Sequence, residues 1–329
     1  MTGKEMNCDV VLDVKGSCTF GYEGIRVPES SRLTIRGSGN MKIDVNSDDG
    51  VVIGGNYLQD FGEIILEHEG VLDISVDTSN IIAVGGGVSG EKSSVEFRSG
   101  TVKGELRGIN VIGAGAASGN VRVKNQGGSV SFDGAGRNVV GIGSFNGKAE
   151  IENNSDVKLV CAGDTCCGVG TLEGGSGRIV MNGGSSNFTV NAKYATAIGA
   201  VSGRTDVVVN GGDYIISCEG NDAVGIGDSH GSGNVEIRSG RMKIRTAASA
   251  ELCIGSDKGS SVIYSGNIIY DGRGMVRAYG PCGEALEHYR VPDKNFSSTI
   301  TSGSESYTYT AEAFDGEACV EVYLPVGTE

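Results

Sequence analysis

The sequence predicts an all-β chain wound as a right-handed, single-stranded parallel β-helix, and three observations carry that prediction. Glycine reaches 56 of 329 residues while proline is only 4 and tryptophan is absent. A hexapeptide, NVVGIG at residues 138–143, returns along the chain at a nearly constant interval. Between its copies lie short runs of alternating apolar and polar residues joined by polar turns, leaving no room for a helix of ordinary length.

The composition fixes what the glycines are for. Collagen needs glycine at every third position, and that period is missing. Disordered linkers lack apolar residues, whereas valine and isoleucine recur throughout this chain. The glycines therefore serve turns in a folded β protein. Net charge is −14, from 41 acidic and 27 basic side chains. Such a balance repels a phosphate backbone and argues against nucleic acid as a partner.

No apolar run reaches the length of a membrane-spanning helix, so no membrane insertion is expected. The start, MTGKEMNCDVVLDV, lacks the basic and apolar regions of a signal peptide. The chain is therefore expected either to be cytoplasmic or to be a piece of a larger exported, cell-surface protein. Nine cysteines without a compact framework do not predict a disulfide scaffold; they suit a reducing or anaerobic setting.

The hexapeptide recurs as NIIAVG (80–85), NVIGAG (110–115), TCCGVG (165–170), YATAIG (194–199) and DAVGIG (222–227). Its final residue defines eight anchors: Gly54, Gly85, Gly115, Gly143, Gly170, Gly199, Gly227 and Gly255. They are separated by 31, 30, 28, 27, 29, 28 and 28 residues. After each anchor come a polar loop, a strand such as NVEIRSG (234–240), a glycine turn and a second strand such as RMKIR (241–245). Three strands per period predict coils stacked into three parallel sheets about 4.8 Å apart. With earlier strand-like segments in 8–20 and 24–45, about ten coils of ~28 residues are expected, a rod on the order of 45 Å long. A propeller needs four strands per repeat and is the weaker reading. The division predicted is a β-helix over residues 1–275 and a capping β segment over 276–329.

Stacking turns sequence positions into columns. One and three residues before the anchors stand mostly apolar residues, such as Ile142 and Val140, expected to face the core. Five before stand Asp49, Asn80, Asn110, Asn138, Thr165, Tyr194, Asp222 and Ala250. Stacked asparagines there predict an amide ladder along the axis. Two before stand Val52, Ala83, Gly113, Gly141, Gly168, Ala197, Gly225 and Cys253. Strict alternation turns these outward as a flat strip for carbohydrate, a cell-surface protein or a second copy of the chain; a homodimer would join there. The competing reading is that close packing demands small residues at that position. On the outward reading Cys253 is the reactive thiol, whereas Cys161, Cys166 and Cys167 fill core positions.

The repeats G-[IV]-G, polar loop, [IV]-x-[IV]-x-x-G-G and x-[VI]-x-[VIF], best seen at 138–160 and 222–245, resemble β-helical repeats of surface proteins from anaerobic Firmicutes. The tail at 306–327 resembles the segment that closes such repeats. The resemblance implies a fold similar to that of pectate lyases and of non-catalytic carbohydrate-binding β-helices and adhesins. It also implies display at a cell surface and contact with glycan or host, without naming a ligand.

Chemistry-bearing residues are sparse. Asp222, Asp228 and Asp257 fall beside anchors of neighbouring coils, with His230 and Lys258 close in sequence. They are the candidates for a lyase or glycoside hydrolase, and Asp228 with Asp257 for a Ca²⁺ site. The alternative is that turn aspartates serve the backbone. No GxSxG, HExxH, P-loop or CxxC pair occurs. Tyr307, Tyr309 and Tyr323, in the tail, suit either a sugar-stacking platform or packing of the cap. The short loops favour a non-catalytic binding or adhesion module contacting carbohydrate or a cell-surface partner. A polysaccharide lyase or hydrolase and a structural or self-associating spacer remain as alternatives.

Overall fold

The computed structural model describes residues 8–22, 24–45, 50–247, 252–272 and 274–328. Asp49 and Ala250 of the five-before column lie outside the described residues. The described chain is all β with no helix. It is a right-handed parallel β-helix of about nine turns, where the repeat count suggested about ten. Among the described residues, no helix is long and apolar enough to cross a membrane.

Each turn crosses three parallel sheets. The first contains the anchor strands, such as Asn80–Ser89 and Asp222–Gly231. The second contains Arg32–Gly37, Gly175–Met181 and Val235–Ile237. The third contains Asn40–Val45, Ser129–Ala135 and Arg241–Thr246. Ladder pairing continues around the corners, so that Ser185–Val209 runs unbroken for 25 residues through all three. Between Asn110–Asn125 and Asn138–Asn153 the register is kept along the whole length: Asn110 pairs with Asn138, Gly115 with Gly143 and Asn125 with Asn153.

The anchor glycines are a backbone requirement. All eight have positive φ, from 130° at Gly227 and Gly255 to 146° at Gly54. A Cβ on Gly115 would fall on the carbonyl oxygen of Gly143, and the same clash repeats up the stack. Glycine alone combines that φ with so close a coil-to-coil approach. The bend brings the residues just after the anchor back over the outer face of the anchor strand. Leu172 and Val201 thereby pack with Val51, Ile82, Ile112, Val140 and Cys167 in a second, smaller core.

This second core corrects two columns. The residues three before the anchor face it, whereas those one before face the main core with Ile53, Val84 and Ile142. The positions two before, expected outward, are interior: Val52, Ala83, Ala197 and Cys253 are fully buried, and Gly113, Gly141, Gly168 and Gly225 are buried too. The ladder explains why alternation fails. It pairs Ile112 with Val140 and then Ala114 with Ile142, passing over Gly113 and Gly141, so the strand is not evenly pleated there. Side chains from the third sheet fill the space: a Cβ on Gly113 would strike Phe132, on Gly141 Leu159, and on Gly225 Ile244. Small residues two before the anchor are thus set by packing across a narrow core. The surface strip that was to receive carbohydrate, a protein or a second copy does not exist as a surface.

The asparagine ladder is present. The Asn110 amide donates to Asn80 Oδ1 at 2.8 Å, and the Asn138 amide to Asn110 Oδ1 at 2.8 Å. A second run, not expected, joins the turns after the second strand in three successive coils: Asn182 donates to Asn154 (2.6 Å) and Asn210 to Asn182 (2.7 Å). A buried pair, Asn125 to Asn153 at 2.9 Å, extends the same logic inside.

At the C-terminal end, Leu286–Val291 pairs antiparallel with Val320–Pro325, and Asn295–Ser302 with Glu305–Glu312. These strands close over the last coil. The hydroxyl of fully buried Tyr309 donates to Gly266 O at 2.9 Å, and Asn267 donates to Glu312 O and accepts from Glu321 N, both at 2.9 Å. Burial of Tyr309 and Tyr323 makes them packing residues of the cap and removes the stacking platform.

Candidate functional site: a charged groove on the second sheet

The aspartate cluster does not assemble as an open site. Asp228 is fully buried. Its Oδ1 accepts the N–H of Ala200 (2.9 Å), and its Oδ2 accepts those of Thr205 (3.0 Å) and Gly233 (2.7 Å). It therefore clamps the bend after the anchor to the coil beside it. Burial pushes its pKa up to about 6, against the opposing pull of the three N–H donors. The ladder pairs Asp228 with Ser256, not with Asp257, whose side chain is exposed. Asp222 is half-buried; Lys258 and His230 are exposed, and the His230 ring stands edge-on to Tyr194 at 6.1 Å. Among the described residues, no group of three or more His, Cys, Asp or Glu is arranged to hold a metal ion. The lyase, hydrolase and Ca²⁺ assignments lose their central residue, because a carboxylate with both oxygens bonded inside the wall cannot reach a sugar.

The cysteines follow the same pattern. All nine are free; Cys161, Cys166, Cys167, Cys218 and Cys253 are buried, and Cys8 alone is exposed. Burial pushes the Cys166 and Cys218 thiols up to about 12 and those of Cys161, Cys167 and Cys253 upward as well. Cys253 is therefore an unreactive core residue, contrary to its expected place on an outer strip.

The outer face of the second sheet is different in kind. Its strands alternate inward apolar residues, such as Val121, Val123, Ile151 and Ile179, with outward charged ones. Register stacks these charges by alternating sign: Asp9, Arg32 and Glu63 in one run, Glu96, Lys124 and Glu152 in another, and Arg122, Glu150, Arg178 and Asp206 in a third. Ion pairs form along the runs, Arg32 to Glu63 at 2.5 Å, Arg122 to Glu150 at 3.3 Å and Lys124 to Glu152 at 3.7 Å. Exposed pairs of this kind add little stability each. Their arrangement avoids stacking like charges about 4.8 Å apart, which a parallel in-register helix otherwise imposes.

Over the strand Gly175–Met181 this face sinks into an open groove of about 500 Å³. Short Ser176 stands in register between Lys148 and Arg204, so longer neighbours rise on both sides of it, and Val180 stands beside the longer Glu152. Arg122, Lys124, Lys148, Arg178 and Arg204 line it with Glu150, Glu152 and Asp206. None of the lining cations was singled out from the sequence. Their signal is the charge pattern of VRVKN (121–125), KAEIEN (148–153), GRIV (177–180) and RTDV (204–207), legible only once the second strands are aligned.

Comparison of the chain with protein-family models, curated proteins and solved structures found no match.

Proposed function

We propose that this protein is a non-catalytic binding module, an exported or surface-displayed rod that contacts carbohydrate along the outer face of its second sheet. The observation supporting this reading is the groove over Gly175–Met181, shallow, open along the coils and lined by polar side chains carried on rigid strands. An extended polymer suits such a face better than a small molecule does, since small-molecule sites are concave and enclose most of their ligand. The protein's best acid candidate, Asp228, is occupied in the wall, which favours binding over bond cleavage. A panel of acidic and neutral polysaccharides, read for retention and for released reducing ends, tests the proposal. Retention without new reducing ends is expected. Cleavage would overturn the non-catalytic reading, and absence of any retention would favour a spacer.

A further inference from the structure

The groove carries five cations against three carboxylates on a chain whose net charge is −14. Those three carboxylates are already engaged. Glu150 accepts Lys148 at 2.6 Å and lies 3.3 Å from Arg122; Lys148 holds it below the usual carboxylate range. Glu152 lies 3.7 Å from Lys124 and accepts the Asn182 amide at 3.4 Å. Asp206 Oδ1 accepts both the backbone N–H and the side-chain amide of Asn234, each at 3.0 Å. Asp206 is thus drawn toward the next coil and away from Arg178, its register partner on the other side. Among the described residues, Arg178 and Arg204 make no ion pair, and both are exposed. They stand on adjacent strands around short Ser176 and Gly177.

We propose that this groove recognises the acidic groups of a polyanionic polysaccharide, with Arg178 and Arg204 as its anion-binding residues; the proposal rests on the carbohydrate-binding reading above. A guanidinium is always charged, and its planar fork matches a carboxylate or a sulfate bidentately. Two such groups on neighbouring rigid strands present a fixed pair of sites at little ordering cost. Among the described residues no aromatic side chain lines the groove, so charge and not stacking on sugar rings is what it offers for recognition. The acidic remainder of the molecule disfavours the dense phosphate charge of nucleic acid while leaving a more sparsely charged glycan room to settle.

Affinity electrophoresis of the full chain through gels containing polygalacturonate, dextran sulfate or plain dextran provides the test. Retardation is expected in a charged gel and not in plain dextran, and the more retarding charged gel identifies carboxylate or sulfate as the preferred group. The double variant Arg178→Gln/Arg204→Gln is expected to weaken that retardation at least tenfold. The variant Arg137→Gln/Arg245→Gln removes the same charge from exposed arginines away from the second sheet and is expected to leave it unchanged. Equal retardation by plain dextran, or equal loss in the second variant, would overturn the anion assignment while leaving carbohydrate binding intact. Retardation by duplex DNA matching that of the charged glycans would overturn the choice of glycan. Mobility unchanged in all three polysaccharide gels would overturn both the assignment and the reading beneath it.

Discussion

Two walls of one rod, built from the same coil and in the same register, treat their side chains in opposite ways. The anchor sheet is buried on both faces, by the main core on one side and by Leu172, Val201 and their neighbours on the other. The second sheet is buried on one face and carries alternating charge on the other. Conspicuous repetition in the sequence therefore marks the more constrained wall. The anchor hexapeptide recurs because a positive-φ bend, an amide ladder and a narrow core all restrict it. The second strands vary because only the inward half of each is constrained, and variation on a rigid wall is where a binding face can be written.

The largest expected effect comes from placing side chains of one kind on both walls. Gly141→Val drives a Cβ toward the Gly168 carbonyl and the Leu159 side chain. Overpacking there is expected to cost about 3 kcal/mol or more and to lower the thermal midpoint visibly. Ser176→Val, on the exposed face of the second sheet, is expected to stay within about 0.5 kcal/mol. Thermal unfolding of the two variants side by side checks the contrast, and equal effects would erase it.

A smaller effect sharpens the comparison through pH. Asp228 titrates at about 6 in the folded wall, above the ~3.9 of an unfolded aspartate. Between those values the folded state binds the extra proton, so this group's contribution to stability rises as pH falls and is absent at neutral pH. The span amounts to roughly 3 kcal/mol at most. Fully buried His68, whose pKa burial lowers, acts with the opposite sign: its contribution is present above the ordinary histidine value and is lost on acidification. The difference between wild type and Asp228→Asn isolates the aspartate. Denaturant unfolding from pH 7 to pH 4 is expected to show the wild type gaining on the variant as pH falls. A parallel pair of curves would show that Asp228 is not titrating in the wall.

The period, the three parallel sheets and the Asn80–Asn110–Asn138 ladder were legible in the sequence because each rests on residue type and spacing alone. The facing of the column through Gly113, Gly141 and Gly225 was not. Its reading assumed an evenly pleated strand, and the backbone bends at that position before reaching the positive-φ glycine. For Asp228 the backbone-serving alternative holds, but its partners were not legible: nothing local in DAVGIGDSHG announces that three N–H groups, two of them on the neighbouring coil, converge on its carboxylate. The ladder through Asn154, Asn182 and Asn210 had a signal in NNS, NGG and NGG, visible once the turns after the second strand were aligned. The groove needed a full register, since its members come from four successive coils.

The contrast between the two walls depends on the anchor sheet being interior, and thiol accessibility reads that most directly. Native protein treated with a thiol reagent, followed by mapping of the modified cysteines, is expected to show early labelling at Cys8 and then at the half-buried Cys18, Cys282 and Cys319. Cys166, Cys167 and Cys253 on the anchor strands are expected to stay unmodified until the protein unfolds. Labelling of Cys253 in the folded protein as fast as that of Cys282 would contradict the account and return the small-residue column to the surface.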